Sequence, residues 1–246
     1  FCNIYSSFSQ RAYEQIIHDV ALQKLPVNFC LDRGGLVGHD GDTHHGSFDI
    51  SFLRCIPDLV IAAPRNAEQL RNLMYTAQLD KTIIPFAIRY PRGNTIICNN
   101  NGQFRELEIG KGQCLKEGSD IAILTIGTSG NNALAAADYL IKDNINAAVY
   151  DMLFAKPIDE ELLHDVSRRF DNIITIEDNS IIGGFGSAVA EFICENNYSS
   201  NLIRLGIADK FIEHGTQEEL IKICEFDSSS IVNLIKKTCK RAIYRT

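Results

Sequence analysis

Residues 32–46 read Asp-Arg-Gly-Gly-Leu-Val-Gly-His-Asp-Gly-Asp-Thr-His-His-Gly, which crowds a guanidinium, carboxylates and imidazoles among glycines. The planar fork of Arg33 suits an anion such as phosphate. Asp40 and His44 are groups that can hold hydroxyls and move a proton near neutral pH. The glycines let the backbone approach a ligand closely. A second cationic segment, Arg89-Tyr90-Pro91-Arg92-Gly93, follows another apolar run. Each residue also has a plainer use. Arg33 or Arg92 could pair with Asp32 or another acid, and His44 could simply bond backbone in its own loop.

The elements behind these residues explain their placement. Val27–Leu31 is nearly all apolar and predicts a strand covered on both faces, with Asp32 and Arg33 at its carboxyl end. Ligands of open α/β sheets bind at that edge. Ile83–Ile88 predicts a second such strand, ending at Arg89 and Arg92, and Leu59–Ala63 a third. Phe8–Leu22 carries Ala12, Ile16, Ile17, Val20 and Ala21 at helical spacing. A helix from Arg65 or Asn66 to Leu79 turns Leu70, Leu73, Met74 and Ala77 inward. The Asn99-Asn100-Asn101-Gly102 tract breaks the pattern. We place the domain boundary there: residues 1–110, with a linker from about 94, and residues 111–246.

The second part continues the alternation. Strands are expected at 121–126, 147–150, 173–176 and 202–205, and helices at 129–141, 159–170, 187–195, 217–224 and 228–242. The fold class is therefore α/β, as two three-layer domains with mostly parallel sheets. A net charge of −7 with no basic stripe argues against a nucleic-acid partner, so an anionic substrate must be held by local arginines. The eight cysteines (Cys2, Cys30, Cys55, Cys98, Cys114, Cys194, Cys224 and Cys239) form no CxxC pair and are expected to be reduced core residues. No apolar run approaches the ~18 residues of a membrane span, and no signal peptide opens the chain. Phe1 leads at once into core-like sequence, so the chain is expected to begin inside a domain.

Six strings in order complete a pattern: residues 5–13, 32–46, Leu53-Arg54-Cys55-Ile56-Pro57, 89–93, Glu177-Asp178-Asn179 with Gly183-Gly184-Phe185-Gly186-Ser187, and Ile212-Glu213-His214-Gly215-Thr216-Gln217. Together they resemble the 1-deoxy-D-xylulose-5-phosphate synthases, transketolase-like thiamine diphosphate enzymes, over the C-terminal part of that family. The resemblance implies an incomplete transketolase pyrimidine-binding domain followed by a transketolase C-terminal domain. It implies a transferase that joins pyruvate to D-glyceraldehyde 3-phosphate with loss of carbon dioxide, serving isoprenoid, thiamine and pyridoxal biosynthesis. Thiamine diphosphate carries the carbanion chemistry.

By the same resemblance Arg33, Arg92 and Tyr5 bind the substrate phosphate, while Asp40 and His44 face the reacting aldehyde. Phe8 packs on the aminopyrimidine ring of the cofactor, although an aromatic at a helix start is as easily core. Arg11, one turn further on, supports the site through a charged network. His39 and His45 match no role. The family's Gly-Asp-Gly…Asn motif for Mg2+ and its catalytic glutamate are not found, so no metal site is expected and the chain reads as an inactive fragment lacking an N-terminal domain. The Gly183–Ser187 turn has the wrong spacing for a dinucleotide fingerprint, and its glycines are read as helix-packing positions. Asp151 and the Glu177-Asp178 pair are read as caps of turns or helices. The family implies a homodimer without a membrane partner, in bacterial cytoplasm or alternatively a plastid. The competing readings are another transketolase-like enzyme, a transketolase or a 2-oxoacid dehydrogenase β subunit, and a non-catalytic structural partner.

Overall fold

The computed structural model describes residues 1–95 and 102–243, with side chains described through residue 239. Cys98 and the Asn99–Asn101 tract therefore lie outside the described residues. Two five-stranded sheets organise the chain. The first has the order β1-β2-β4-β3-β8, from β1 (Cys2–Tyr5), β2 (Asn28–Asp32), β3 (Val60–Ala62), β4 (Phe86–Arg89) and β8 (Phe154–Lys156). Its first four strands are parallel and β8 is antiparallel to β3. The second has the order β10-β9-β6-β7-β5, from β5 (Gln113–Lys116), β6 (Ile121–Thr125), β7 (Ala147–Asp151), β9 (Asn172–Ser180) and β10 (Asn201–Ile207). All of its pairs are parallel except β5 with β7.

Alternation along the strands sends side chains to two covered faces. On β6, Ile121 and Ile123 meet helices α5 (Ser129–Leu140) and α9 (Ser228–Ile243) through Ala133, Ala136, Ile231 and Ile235. Ala122 and Leu124 join the opposite core, with Leu163 and Val166 of α6 (Glu160–Arg169) and Val189 and Phe192 of α7 (Phe185–Glu195). That core also holds Phe29, Leu31, Ile61 and Ala87 of the first sheet, so the two sheets share one apolar centre. The other face of the first sheet packs Val60, Phe86 and Ile88 on Leu73 and Ala77 of α4 (Ala67–Ala77). Asn66 caps α4 by accepting the Gln69 N–H at 2.9 Å.

Several expectations change. The helix expected over Phe8–Leu22 is a mixed run: α1 (Ser6–Ser9), a 3₁₀ turn (Gln10–Ala12), α2 (Tyr13–Gln15) and a π segment (Ile16–Ala21), ended near Lys24 with φ +54°. Met74 is exposed rather than inward, because the buried face of α4 runs through Gln69, Leu73, Thr76 and Ala77. The cysteines described are free, but Cys2, Cys55, Cys114 and Cys194 are exposed and only Cys30 and Cys224 are buried. Cys2 and Cys114 lie on edge strands, where one side of the strand faces water. Edge strands β1, β5 and β8 and the short helix α3 (Asp49–Leu53) have no periodic signal of their own and were not anticipated.

Candidate active site

Strand order brings the expected phosphate residues together. β1, β2 and β4 are neighbours, with Tyr5 opposite Asp32 and Leu31 opposite Arg89, so their carboxyl ends deliver Tyr5, Arg33 and Arg92 to one edge. Arg33 takes φ +60°, an uncommon conformation for a residue with a side chain, at the turn out of β2. Its guanidinium carbon lies 4.1 Å from the Tyr5 ring centroid. Arg33 Nη1 donates to Asp40 Oδ2 at 2.6 Å, and Arg92 Nη1 donates to the same oxygen at 2.7 Å. Tyr5 stacks with Phe8 at 5.3 Å, and Phe8 meets the His44 ring edge-on at 5.6 Å. Thr43 Oγ1 is 2.8 Å from His44 Nδ1. Thus Tyr5, Phe8, Arg33, Asp40, His44 and Arg92 form one contiguous surface. Arg33 and Arg92 also reach a cavity of about 560 Å³ between the two domains.

The loop bearing these groups is closed by paired backbone bonds between Gly35 and Gly46, both at 2.8 Å. Beneath it sits a charged clasp. Arg89, whose side chain is 4% exposed, donates through Nε to both oxygens of Asp49 at 2.8 and 2.9 Å. It also donates to the carbonyls of Gly46 and Asp178. Ser6 Oγ donates to Asp49 Oδ2 at 2.7 Å. Burial disfavours the charge on Arg89, but Asp49 and Asp178 more than offset it and its pKa is raised. The Asp178 carboxylate accepts the Leu36 N–H at 3.0 and 3.2 Å, which ties the loop to β9. Gly35 has φ +81°, and a Cβ there would overlap that carboxylate. Burial raises Asp178 to about 6 despite Arg89 and the Leu36 N–H.

Asp178 therefore does not cap an element of its own domain, as its position at a strand end suggested. Glu177 does: it accepts Phe185 N–H at 2.7 Å and Gly186 N–H at 2.8 Å at the start of α7, while burial raises it to about 7. Asp151 accepts the Leu153 N–H in the turn after β7 and is raised mainly by burial. A Cβ on Gly184 would overlap the Glu177 carboxylate, in keeping with a packing role for that glycine. His45 acquires a role: Nδ1 accepts the Val37 N–H at 3.0 Å, so the neutral ring donates from Nε2 toward the Glu213 carbonyl at 3.3 Å. His39 is exposed.

Arg11 departs from expectation. It is exposed in the 3₁₀ turn and makes no hydrogen bond or ion pair with the described residues. The tighter winding of that turn changes the direction of its side chain relative to an α-helix. Arg89, Asp49, Asp178 and Gln217 were missed as site-forming residues. The available signal was a charge inside apolar sequence, as in Phe86-Ala87-Ile88-Arg89 and Phe48-Asp49-Ile50.

Comparison with known proteins identifies the two domains. The transketolase pyrimidine binding domain model matches residues 1–96, and the transketolase C-terminal domain model matches residues 110–231. The 1-deoxy-D-xylulose-5-phosphate synthase of Cytophaga hutchinsonii is 55% identical over 236 residues, 96% of this chain and 37% of that protein. The protein of the same name from Bacteroides thetaiotaomicron is 53% identical over 242 residues, 98% of this chain and 37% of its own length. The chain thus spans a little over a third of the curated relatives it matches. A solved split-gene transketolase, in an inactive β4 tetramer, superposes with a TM-score of 0.85 at 30% identity, covering 97% of this chain and 75% of that one. The Campylobacter jejuni transketolase shares the fold, with a TM-score of 0.73 at 20% identity over 96% of this chain and 35% of that one. The chain belongs to the transketolase family, and over its pyrimidine-binding and C-terminal domains it is similar in sequence to that family's 1-deoxy-D-xylulose-5-phosphate synthases.

Proposed function

We propose that the chain forms the acceptor side of a thiamine-dependent transferase that condenses pyruvate with D-glyceraldehyde 3-phosphate, releasing carbon dioxide and giving 1-deoxy-D-xylulose 5-phosphate. The observation that carries this reading is the meeting of Arg33 and Arg92 on a single oxygen of Asp40. An anionic oxygen held by two guanidinium groups marks an anion position, and a phosphate can engage both forks at once. In the proposed reaction the phosphate takes the arginines, with Tyr5 beneath Arg33. Asp40 is released to accept a hydrogen bond from the aldehyde's C2 hydroxyl. His44 directs Nδ1 to Thr43, and its Nε2 has no partner among the described residues. From there an imidazolium can protonate the aldehyde oxygen as the carbon–carbon bond forms.

Thiamine diphosphate, when bound, supplies the carbanion chemistry. Phe8 is 46% exposed between Tyr5 and His44, an open aromatic surface that fits the face of a pyrimidine ring. Among the described residues no cluster of His, Cys, Asp or Glu could hold a metal ion. The reading assigns Mg2+ and the diphosphate to the portion of the relatives that this chain does not span, working in a homodimer. It also holds that the 246-residue chain alone turns over no substrate. The inactive tetramer of the split-gene transketolase offers a parallel.

The test is product analysis with the full-length protein supplied with thiamine diphosphate and Mg2+. Pyruvate with glyceraldehyde 3-phosphate should yield 1-deoxy-D-xylulose 5-phosphate and carbon dioxide. Transfer from ketose phosphates, with pyruvate inert, would reassign the protein to transketolase chemistry.

A further inference from the structure

The motif Ile212–Gln217 contributes to the family resemblance yet supplies none of the proposed substrate contacts. We propose that Gln217 is a positioning residue that sets the separation of Arg33 and Arg92 by tying together the two loops that bear them. The inference rests on the phosphate reading of those arginines.

Gln217 Nε2 donates to the Leu36 carbonyl at 2.8 Å and to the Arg92 carbonyl at 3.1 Å. Both partners are acceptors only, so the amide NH2 is the group that can serve them. Leu36 lies three residues beyond Arg33 in the same loop, and the second carbonyl belongs to Arg92 itself. One side chain from the second domain thus bridges the two arginine loops of the first.

Its placement is built from both sides. Gln217 is the first residue of α8 (Gln217–Ile223), which is fixed by a capping box: Glu219 N–H donates to Thr216 Oγ1 at 3.2 Å, and Thr216 N–H donates to the Glu219 carboxylate at 2.9 Å. The loops are shaped to receive it. Gly38, at φ +88°, and Gly93, at φ +117°, bring their backbones against the side chain; a Cβ would meet Gln217 Cγ at 3.5 Å and Oε1 at 3.4 Å respectively. No hydrogen bond joins Gln217 to Asp40 or to either guanidinium, so it acts on the arginines through the backbone of the loops that carry them.

Two forks grip one phosphate only at the right separation, so loss of the bridge should weaken phosphate recognition and leave the chemical step alone. Gln217→Glu keeps the length but presents no N–H to the two carbonyls; Gln217→Asn is one methylene too short to reach both. In the full-length protein we would measure inorganic phosphate affinity, the thermal midpoint, and steady-state kinetics with glyceraldehyde 3-phosphate and with unphosphorylated glyceraldehyde. Either variant should weaken phosphate binding and raise KM for the phosphorylated aldehyde by about tenfold or more. The kcat and the KM for unphosphorylated glyceraldehyde should stay within about twofold of wild type. Gly93→Ala, which strains the loop bearing Arg92 at φ +117°, should show the same selective loss. Unchanged phosphate affinity in a folded Gln217→Glu protein would overturn the inference while leaving the phosphate reading intact. Equal losses with both aldehydes would mark Gln217 as generally structural and would also overturn it. A wild-type protein that binds no phosphate would remove the Arg33–Arg92 reading itself, and this inference with it.

Discussion

Arg89 and Arg92 are separated by two residues in one strand-end segment, yet they do opposite work. Arg89 is 4% exposed and locked to Asp49, whose oxygens also receive Ser6. Arg92 is 43% exposed and shares Asp40 with Arg33. A buried ion pair that loses one partner leaves an uncompensated charge in a medium of low polarity, whereas an open pair exchanges readily with water or another anion. The Arg89–Asp49 pair is therefore scaffold, and the Arg33–Asp40–Arg92 bridge is the open pair at the position proposed for the phosphate. The same two residue types build both.

The comparison breaks most decisively at the scaffold. Arg89→Ala should destabilise the fold by about 3–5 kcal/mol, seen as a large drop in the denaturant midpoint. A loss under about 1 kcal/mol would place Arg89 in the same class as the open pair. At the open site His44→Ala should lower kcat of the full-length enzyme by ~100-fold or more with little change in pyruvate KM. An undiminished kcat would take His44 out of the proton transfer. Arg92→Ala should leave stability within about 1 kcal/mol of wild type. It should raise KM for glyceraldehyde 3-phosphate about tenfold or more, the scale of a ~1.5–3 kcal/mol charged hydrogen bond. A stability loss as large as that of Arg89→Ala would erase the distinction drawn here.

The smallest effect concerns pH. Burial raises Glu177 from 4.5 to about 7 in the folded chain and Asp178 from 3.8 to about 6. A carboxyl whose folded pKa lies above its unfolded value holds its proton more tightly when folded, so its contribution to stability falls as pH rises between those two values. Gln at position 177 mimics the protonated form and does not titrate. The melting temperature of Glu177→Gln relative to wild type should therefore move in the variant's favour between pH 5 and pH 8. A constant difference across that range would show that Glu177 does not titrate there.

The long buried strands and amphipathic helices were legible because apolar periodicity reports covered faces directly. Asn28–Asp32, Ile121–Thr125 and Ala147–Asp151 lie within two residues of their expected places. Edge strands such as Cys2–Tyr5 and Phe154–Lys156 were not, since their pairing depends on partners remote in sequence. Of the candidate site residues, Arg33, Asp40, Arg92, Tyr5, Phe8 and His44 came together: Tyr5, Arg33 and Arg92 sit at or just beyond neighbouring strand ends, Phe8 follows in α1, and Asp40 and His44 are carried by the loop that the Gly35–Gly46 bonds close. Arg11 did not, because its direction depends on a local 3₁₀ turn that periodicity does not report.

By itself the sequence determined the α/β class, the family, and the presence of guanidinium, carboxylate and imidazole groups behind a buried strand. Composition, periodicity and residue chemistry are local properties, and they survive being read along a line. Only the tertiary structure decided which arginine is buried and which is open to solvent, that Asp40 bridges Arg33 to Arg92, and that Asp178 and Gln217 of the second domain hold the loop of the first. Those assignments depend on solvent exclusion and on distances between residues up to 181 positions apart, and neither exists until the two sheets have packed.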